Sequence, residues 1–211
     1  MNSVLFFDLD GTLTDPKDGI TRCIQYAIEK VGVDAPSSDD LVWCIGPPLL
    51  ESLRSLVGAD SAPLALAAYR ERFSDVGWLE NKPYQGIKSA LGMLFDSNVS
   101  MYVATSKPQV YAEQILDHFG LAPYFVYVFG AELDGTRSDK SELLAYALEK
   151  TGTQGDSSMI GDRSHDVIGA LSNSMHSVGV SYGYGSIDEL RSAGVSHIVN
   201  RPDELVSYFL D

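Results

Sequence analysis

The strongest constraint on the fold is a regular alternation of apolar runs and helical patterns from about residue 85 to the end of the chain. The apolar runs are short and continuous, as expected for strands buried on both faces. Strands separated by helices predict a parallel sheet covered by helices, and therefore an α/β fold. The predicted strands after this point are 99–104, 124–129, 158–160, 177–180 and 197–199, and the predicted helices are 86–95, 109–119, 139–150, 166–172, 187–193 and 203–210.

The segment between residues 16 and 79 differs from the rest because its pattern is entirely helical. Helices are predicted over 19–31, 38–57 (interrupted at residues 46–48, Gly-Pro-Pro) and 61–76. An all-helical insert directly after the first strand splits the α/β domain and creates a second lobe. We therefore expect an α/β core formed by 1–15 and 80–211, a small helical cap domain formed by 16–79, and a two-stranded hinge at 14–17 and 80–85.

Composition excludes several classes of partner. The chain has 211 residues and a formal net charge of −14, which argues against a nucleic-acid polymer or an acidic membrane surface as a partner. Its two cysteines, Cys23 and Cys44, match no zinc motif or disulfide framework, so we expect buried free thiols. We see no secretory signal and no apolar run long enough to span a bilayer, and these patterns favour a cytoplasmic protein.

Two aspartates follow the first apolar run, residues 4–7, directly. Side chains alternate along a strand, so Asp8 and Asp10 point in the same direction while Leu9 points the other way. Two adjacent carboxylates repel each other unless they share a cation or a proton. The pair suits a hard metal ion and a nucleophile with its acid/base partner, although the same residues are typical of a turn that ends a strand.

Two further candidate positions could bind an anion. Thr105, Ser106 and Lys107 follow the predicted strand 99–104, and a hydroxyl with backbone N–H groups at a helix entry can bind phosphate, or merely cap the helix. Lys140 lies in the first turn of a predicted helix, where the helix dipole disfavours a cation. It would be tolerated opposite Asp8 or a bound phosphate; the alternative is a solvated surface lysine.

A further pair of acids, Asp162 and Asp166, flanks the turn between a predicted strand and a predicted helix. Two carboxylates four residues apart can converge on one cation, or each can cap the helix. Oxygen ligands in this number favour Mg²⁺ over zinc. All these motifs follow predicted strands, at the edge where ligands bind in open α/β sheets.

In order and spacing, the four motifs resemble those of the haloacid dehalogenase-like hydrolases, and the resemblance covers essentially the whole chain. The sequences IGPPL at 45–49, VATSKP at 103–108 and GYG at 183–185 resemble its phosphoglycolate phosphatase-like branch, some members of which are described as 5′-nucleotidases. The resemblance implies a Rossmannoid core with a helical cap. The chain departs from this pattern at Asn173-Ser174, where relatives often carry alanine-glycine; we expect this to affect helix packing and not the chemistry.

The resemblance implies a covalent mechanism through an aspartyl-phosphate. Asp8 would attack phosphorus, and Asp10 would protonate the leaving group and then activate water. Mg²⁺ would be held by Asp8, the backbone carbonyl of Asp10, Asp162 and Asp166. The remaining implied site residues comprise two catalytic groups, Thr105 and Lys140, and four substrate-binding residues, Gly11, Thr12, Ser106 and Lys107.

These expectations lead to a Mg²⁺-dependent phosphatase that hydrolyses a small phosphorylated metabolite, either 2-phosphoglycolate or a nucleoside 5′-monophosphate. An alternative is a phosphosugar mutase of the β-phosphoglucomutase type, which would use the same Asp8 and Asp10. A third reading is a non-catalytic interaction protein. The cap is expected to carry substrate specificity, and the protein is expected to be a monomer or homodimer.

Overall fold

The computed structural model describes residues 4–153 and 156–210. Strands in this part of the chain are β1 (Val4–Phe7), β2 (Thr14–Asp15), β3 (Lys82–Pro83), β4 (Ser100–Pro108), β5 (Tyr127–Ala131), β6 (Ser157–Gly161), β7 (His176–Val180) and β8 (His197–Val199). The α-helices are α1 (Lys17–Lys30), α2 (Leu49–Val57), α3 (Ala62–Arg72), α4 (Ile87–Asp96), α5 (Gln109–His118), α6 (Lys140–Thr151), α7 (Ser164–Ser172), α8 (Ile187–Ser192) and α9 (Pro202–Leu210). None of these helices is both long and apolar enough to cross a membrane.

Six of the described strands form a parallel sheet in the order β5-β4-β1-β6-β7-β8, which confirms the predicted α/β class. The central strand β1 is flanked by β4 and β6, and its residues Leu5, Phe6 and Phe7 are completely buried. The chain visits one side of β1 first and then the other. Ligand sites in such sheets form where neighbouring connections diverge, here beyond the carboxyl ends of β4, β1 and β6.

One side of the sheet is covered by α6 and α7. The packed cluster includes Phe6 and Phe129 from the strands and Leu143 and Leu144 from α6. Phe6 also stacks on Tyr102 with ring centroids 5.2 Å apart. This packing explains the helical spacing of the apolar residues in α6, and the helix begins after Asp139, whose side chain accepts the N–H groups of Ser141 and Glu142.

The chain divides into two compact units: the described residues up to Asp15 together with those from Pro83 onward, and the segment Pro16–Lys82. The second unit is helical and has a core that includes Ile20, Ile24 and Ile28 of α1. Strands β2 and β3, which pair with each other, lie where the chain passes between the units. The expected role of this helical unit as a cap that sets specificity stays a prediction.

Three predicted elements need correction. In the helical pattern predicted over 38–57, the interruption at residues 46–48 is present, and Gly46 adopts a φ of 105° that only glycine tolerates easily, but the part before it is a 3-10 helix, Asp39–Cys44. The helix predicted over 61–76 ends in a π-helical turn, Phe73–Gly77. The strand predicted at 124–129 begins only at Tyr127, because a 3-10 turn containing Pro123 precedes it and proline has no N–H for a sheet. Both cysteines are buried and neither forms a disulfide, as predicted.

Candidate active site

Asp8 and Asp10 lie just beyond β1, and each carboxylate faces a different lysine. The backbone N–H of Asp8 donates to the carbonyl oxygen of Ile160 at 2.9 Å, which extends the β1–β6 pairing by one residue. Oδ1 of Asp8 lies 3.0 Å from Nζ of Lys140, whereas Oδ2 of Asp10 lies 2.7 Å from Nζ of Lys107. The two aspartates are therefore neighbours in sequence that occupy distinct electrostatic environments.

Lys140 is buried in the first turn of α6, where it is only 5% exposed. Its ammonium lies 3.0 Å from Oδ1 of Asp8 and 2.8 Å from Oδ1 of Asp166, and it donates to the carbonyl oxygen of Ala104 at 2.8 Å. Burial opposes the charge, but the two carboxylates outweigh it and raise the pKa of Lys140 above its usual range. Lys140 is thus not a solvated surface residue, and the carboxylates of Asp8 and Asp166 offset the unfavourable position of its charge at the positive end of the helix dipole.

Asp8, Asp162 and Asp166 form a cluster of buried carboxylates, with one oxygen of each within 4.8 Å of the others. Among residues 4–153 and 156–210, Oδ1 of Asp162 has no hydrogen-bond partner, whereas Oδ1 of Asp8 and Oδ1 of Asp166 both lie beside the ammonium of Lys140. Burial, and then the neighbouring charges of Asp166 and Asp8, raise the pKa of Asp162 well above its usual range. Three buried carboxylates that converge in this way, one of them with an unpaired oxygen, offer the oxygen ligands that a hard divalent cation prefers. The expected contribution of the Asp10 backbone carbonyl stays a prediction.

The backbone approaches this cluster closely at two glycines that follow β7. A side chain at Gly183 would begin 2.4 Å from Cβ of Asp162, and one at Gly185 would begin 1.8 Å from its carbonyl oxygen. Between them, the backbone N–H of Tyr184 donates to Oδ2 of Asp162 at 2.7 Å. This loop therefore orients Asp162, a role that the motif pattern did not assign to it. The signal available in the sequence was the pair of glycines flanking one residue after a strand.

Two phenols of the same loop join it to the segment that follows β1. The hydroxyl of Tyr182 donates to the carbonyl oxygen of Thr12 at 3.1 Å, and that of Tyr184 donates to Oδ1 of Asp15. Burial raises the pKa of both phenols, so they remain donors at any physiological pH. The segment that follows β1 is thus hydrogen-bonded directly to the loop that orients Asp162.

The segment Thr105–Lys107 belongs to β4 and not to the entry of α5, which begins only at Gln109. The register with β5 shifts between Thr105 and Pro108, so Ser106 and Lys107 lack a register partner in that strand. A bulge of this kind commonly redirects side chains next to active sites. The N–H of Lys107 donates to Oγ1 of Thr105 at 3.2 Å, so it is engaged within the segment.

The first motif continues into a tight turn at Gly11 and Thr12. Gly11 has a φ of +83°, and a side chain there would begin 2.2 Å from Oδ2 of Asp162, so only glycine fits. Thr12 is completely buried, and its hydroxyl oxygen has no hydrogen-bond partner among the described residues. The assignments of Gly11, Thr12, Ser106 and Lys107 to substrate binding stay predictions. In this structure the ammonium of Lys107 forms an ion pair with Asp10.

Comparison with known proteins connects this geometry to a family. The family profile described as haloacid dehalogenase-like hydrolase matches residues 5–180. A 5′-nucleotidase of Pseudomonas aeruginosa is 45% identical over 196 residues, which cover 92% of this chain and 89% of that protein. The tyrosine-protein kinase PtkA of Mycobacterium tuberculosis is 39% identical over 198 residues, covering 92% of this chain and 68% of that protein. A crystal structure described as a predicted phosphatase from Clostridium acetobutylicum superimposes with a TM-score of 0.95 at 43% identity and covers 100% of this chain and 99% of that one.

Proposed function

Because this chain belongs to the haloacid dehalogenase-like hydrolases, we propose that it is a phosphatase that hydrolyses small phosphate monoesters through a phosphorylated Asp8. The proposal depends on one observation: two aspartates of the same motif form ion pairs with different lysines, Asp8 with Lys140 and Asp10 with Lys107. A nucleophile and an acid/base group need such different surroundings to perform different tasks.

Asp8 is the nucleophile in this proposal. One of its oxygens attacks phosphorus while the bond from phosphorus to the ester oxygen breaks, which transfers the phosphoryl group to Asp8. The ammonium of Lys140, which lies between Asp8 and Asp166, offsets the negative charge that this transfer brings into the site. Thr105, 2% exposed at the end of the neighbouring strand, is the hydroxyl that we assign to the phosphoryl oxygens.

Asp10 moves the protons. In the first half-reaction it donates a proton to the leaving alkoxide, and in the second it accepts one from the water that attacks the phosphorylated Asp8. The second step breaks the bond between phosphorus and Asp8, which releases inorganic phosphate and restores the carboxylate. Burial raises the pKa of the Asp10 carboxyl, although the pairing with Lys107 opposes this, so a proton is held more easily than on a solvated aspartate.

Asp8, Asp162 and Asp166 are the side chains that would hold Mg²⁺, with the backbone carbonyl of Asp10 as a further ligand. When bound, the ion neutralises the repulsion between an anionic nucleophile and a phosphate dianion. The convergence of the three carboxylates and the unpaired Oδ1 of Asp162 support this assignment.

For the substrate we propose nucleoside 5′-monophosphates first and 2-phosphoglycolate second, since a relative at 45% identity carries the name 5′-nucleotidase. We therefore also propose that the protein acts in the cytoplasm and that its partner is a small phosphorylated metabolite. The test is phosphate release from a panel of nucleoside monophosphates, 2-phosphoglycolate and sugar phosphates with Mg²⁺, using Asp8→Asn as the matched control. Full turnover by Asp8→Asn would show that the mechanism is wrong.

The acceptor of the phosphoryl group distinguishes the alternatives. A phosphosugar mutase would convert one sugar phosphate into its isomer with little release of phosphate, because water would not reach the phosphorylated Asp8. A protein kinase, the name carried by the PtkA relative, would pass the group to a hydroxyl of another protein. Measuring inorganic phosphate beside isomers and labelled protein separates the three, and we expect phosphate to account for the substrate consumed.

A further inference from the structure

The loop that joins Asp162 to Asp166 has an anionic partner on a different helix. Oε1 of Glu189, in α8, accepts the backbone N–H of Ser164 at 2.8 Å and Nε of Arg163 at 3.0 Å. Arg163 and Ser164 lie between the two aspartates in sequence. One oxygen of Glu189 therefore holds the middle of the segment whose ends carry two of the three clustered carboxylates.

This contact supplies what α7 lacks. A helix begins with unpaired N–H groups, which a side-chain oxygen at the N-cap position usually accepts. The N-cap residue of α7 is Arg163, whose guanidinium can only donate and which makes no side-chain cap hydrogen bond. Glu189, which lies in α8 25 residues further along the chain, accepts the first of these N–H groups, that of Ser164.

A second carboxylate at the same helix end belongs to the cluster itself. Asp166, in the third position of α7, accepts the backbone N–H of Arg163 through Oδ2 at 3.1 Å. Its other oxygen, Oδ1, lies 2.8 Å from Nζ of Lys140. Asp166 therefore bonds its own helix end with one oxygen and directs the other toward the cluster, while Glu189 accepts the neighbouring N–H of Ser164.

The surroundings of Glu189 favour its ionised form. Burial disfavours the carboxylate, but the N–H of Ser164 and the guanidinium of Arg163 outweigh this effect and lower the pKa of Glu189. Charge-assisted hydrogen bonds are shorter and stronger than neutral ones, so both contacts of Glu189 with residues 163 and 164 belong to the stronger class.

We propose that Glu189 is a positioning residue that holds Asp162 and Asp166 in the arrangement able to bind Mg²⁺, an inference that rests on the metal site of the proposed function. It acts through the backbone of residues 163–164. Groups that orient metal ligands from behind typically change metal affinity by about 10- to 100-fold when they are removed.

The experiment compares the wild-type protein with Glu189→Ala, Glu189→Gln and a matched control, Asp188→Asn, which removes an exposed acid from the first turn of the same helix. Each protein is titrated with Mg²⁺ alone by calorimetry, and its melting temperature is measured in EDTA. We expect Glu189→Ala to weaken Mg²⁺ binding by about 10- to 100-fold. Glu189→Gln keeps an acceptor for Ser164 but loses the charge, so its loss is smaller, and Asp188→Asn binds as the wild type does.

A structural role alone predicts a different result. If Glu189→Ala binds Mg²⁺ like the wild type, whether or not it melts earlier in EDTA, the inference is overturned and the proposed function is untouched. If the wild type itself does not bind Mg²⁺, the metal site of the proposed function fails and the inference fails with it. If Glu189→Ala does not fold, Glu189→Gln and Arg163→Met take its place. An Mg²⁺ affinity that is unchanged in both variants overturns the inference, and an affinity that is weakened in both supports it.

Activity gives a second readout. Saturating Mg²⁺ should restore the kcat of Glu189→Ala while the KM for the phosphate ester stays near the wild-type value, because only metal affinity is changed. A kcat that remains low at saturating Mg²⁺, with wild-type metal affinity, contradicts the proposed role.

Discussion

Nζ of Lys107 lies 2.7 Å from Oδ2 of Asp10, and the side chains are only 7% and 12% exposed, respectively. This ion pair gives Asp10 a cationic partner of its own, separate from the Lys140 that serves Asp8. The two carboxylates of one short motif therefore have different cationic partners, as the two tasks proposed for them require.

Asp10→Asn should separate the two half-reactions. A p-nitrophenolate leaving group needs no proton, so phosphorylation of Asp8 by p-nitrophenyl phosphate should continue, whereas attack by water loses its base, at a cost of about 10²- to 10⁴-fold. Rapid mixing should therefore show a burst of one p-nitrophenol per enzyme followed by slow turnover. Asp8→Asn, the matched control, should show no burst, and a burst from that variant would contradict the assignment of Asp8.

Lys140→Met should destabilise the metal-free protein by about 3–5 kcal/mol, because Asp8 and Asp166 would remain buried without their cation. The measurement is urea unfolding in EDTA. Lys150→Met, which removes an exposed lysine near the end of the same helix, should change stability by less than about 0.5 kcal/mol. Adding Asp166→Asn to Lys140→Met should recover part of the loss; a double variant no more stable than Lys140→Met would argue against this pairing.

Asn173→Ala should weaken the contact between the two helices that carry Lys140 and Asp166. The Asn173 amide donates to the carbonyl oxygens of Ser141 at 3.0 Å and Gly169 at 2.8 Å, which joins the beginning of α6 to the end of α7. Loss of both bonds should cost about 1–3 kcal/mol in urea unfolding. Ser172→Ala, at a neighbouring exposed position, serves as the control. Equal stability of the two variants would show that the Asn173 hydrogen bonds do not stabilise the contact between α6 and α7.

Ser174→Gly should stabilise the protein. Ser174 follows α7 with a φ of +57°, a left-handed conformation that glycine adopts without the strain of a side chain. We expect a gain of about 0.5–1 kcal/mol, observed as a higher melting temperature with unchanged kcat. Ser174→Ala, which keeps the strain, should show no gain, so a rise in both variants would point to a different cause.

Glu80→Gln should lower stability at neutral pH and lose this effect in acid. Arg72 and Arg22 both bond the Glu80 carboxylate, and Arg72, with a smaller contribution from Arg22, lowers its pKa. Because the pKa of Glu80 is lower in the folded protein, its contribution to the free energy of unfolding is complete above its pKa in the unfolded chain, about 4.3. That contribution disappears as the pH falls through its pKa in the folded protein. Chemical unfolding should show a difference of about 1–2 kcal/mol at pH 7 that shrinks below about pH 4. A difference independent of pH would contradict this explanation.

The sequence predicted most of the elements of the α/β unit because each depends on local spacing. The helix over α6 follows from Leu143, Leu144 and Ala147 on one face, all of them buried. The errors arose where local geometry overrides periodicity, as at Pro123 before β5 and at the π-helical end of α3. The bulge at Ser106 and Lys107 was not visible because it depends on the register with β5.

The sequence by itself determined which groups reach the edge of the sheet. Each of them follows a predicted strand or its turn within a few residues: Asp8, Asp10, Thr105, Asp162 and Asp166. Only the tertiary structure decided how these groups are paired. Lys107 faces Asp10, Lys140 lies between Asp8 and Asp166, and Glu189 caps the helix of Asp166. The reason is physical: a strand ends at a position set by its own residues, whereas an ion pair depends on which strands and helices become neighbours, and that is settled only when the sheet and its core are packed.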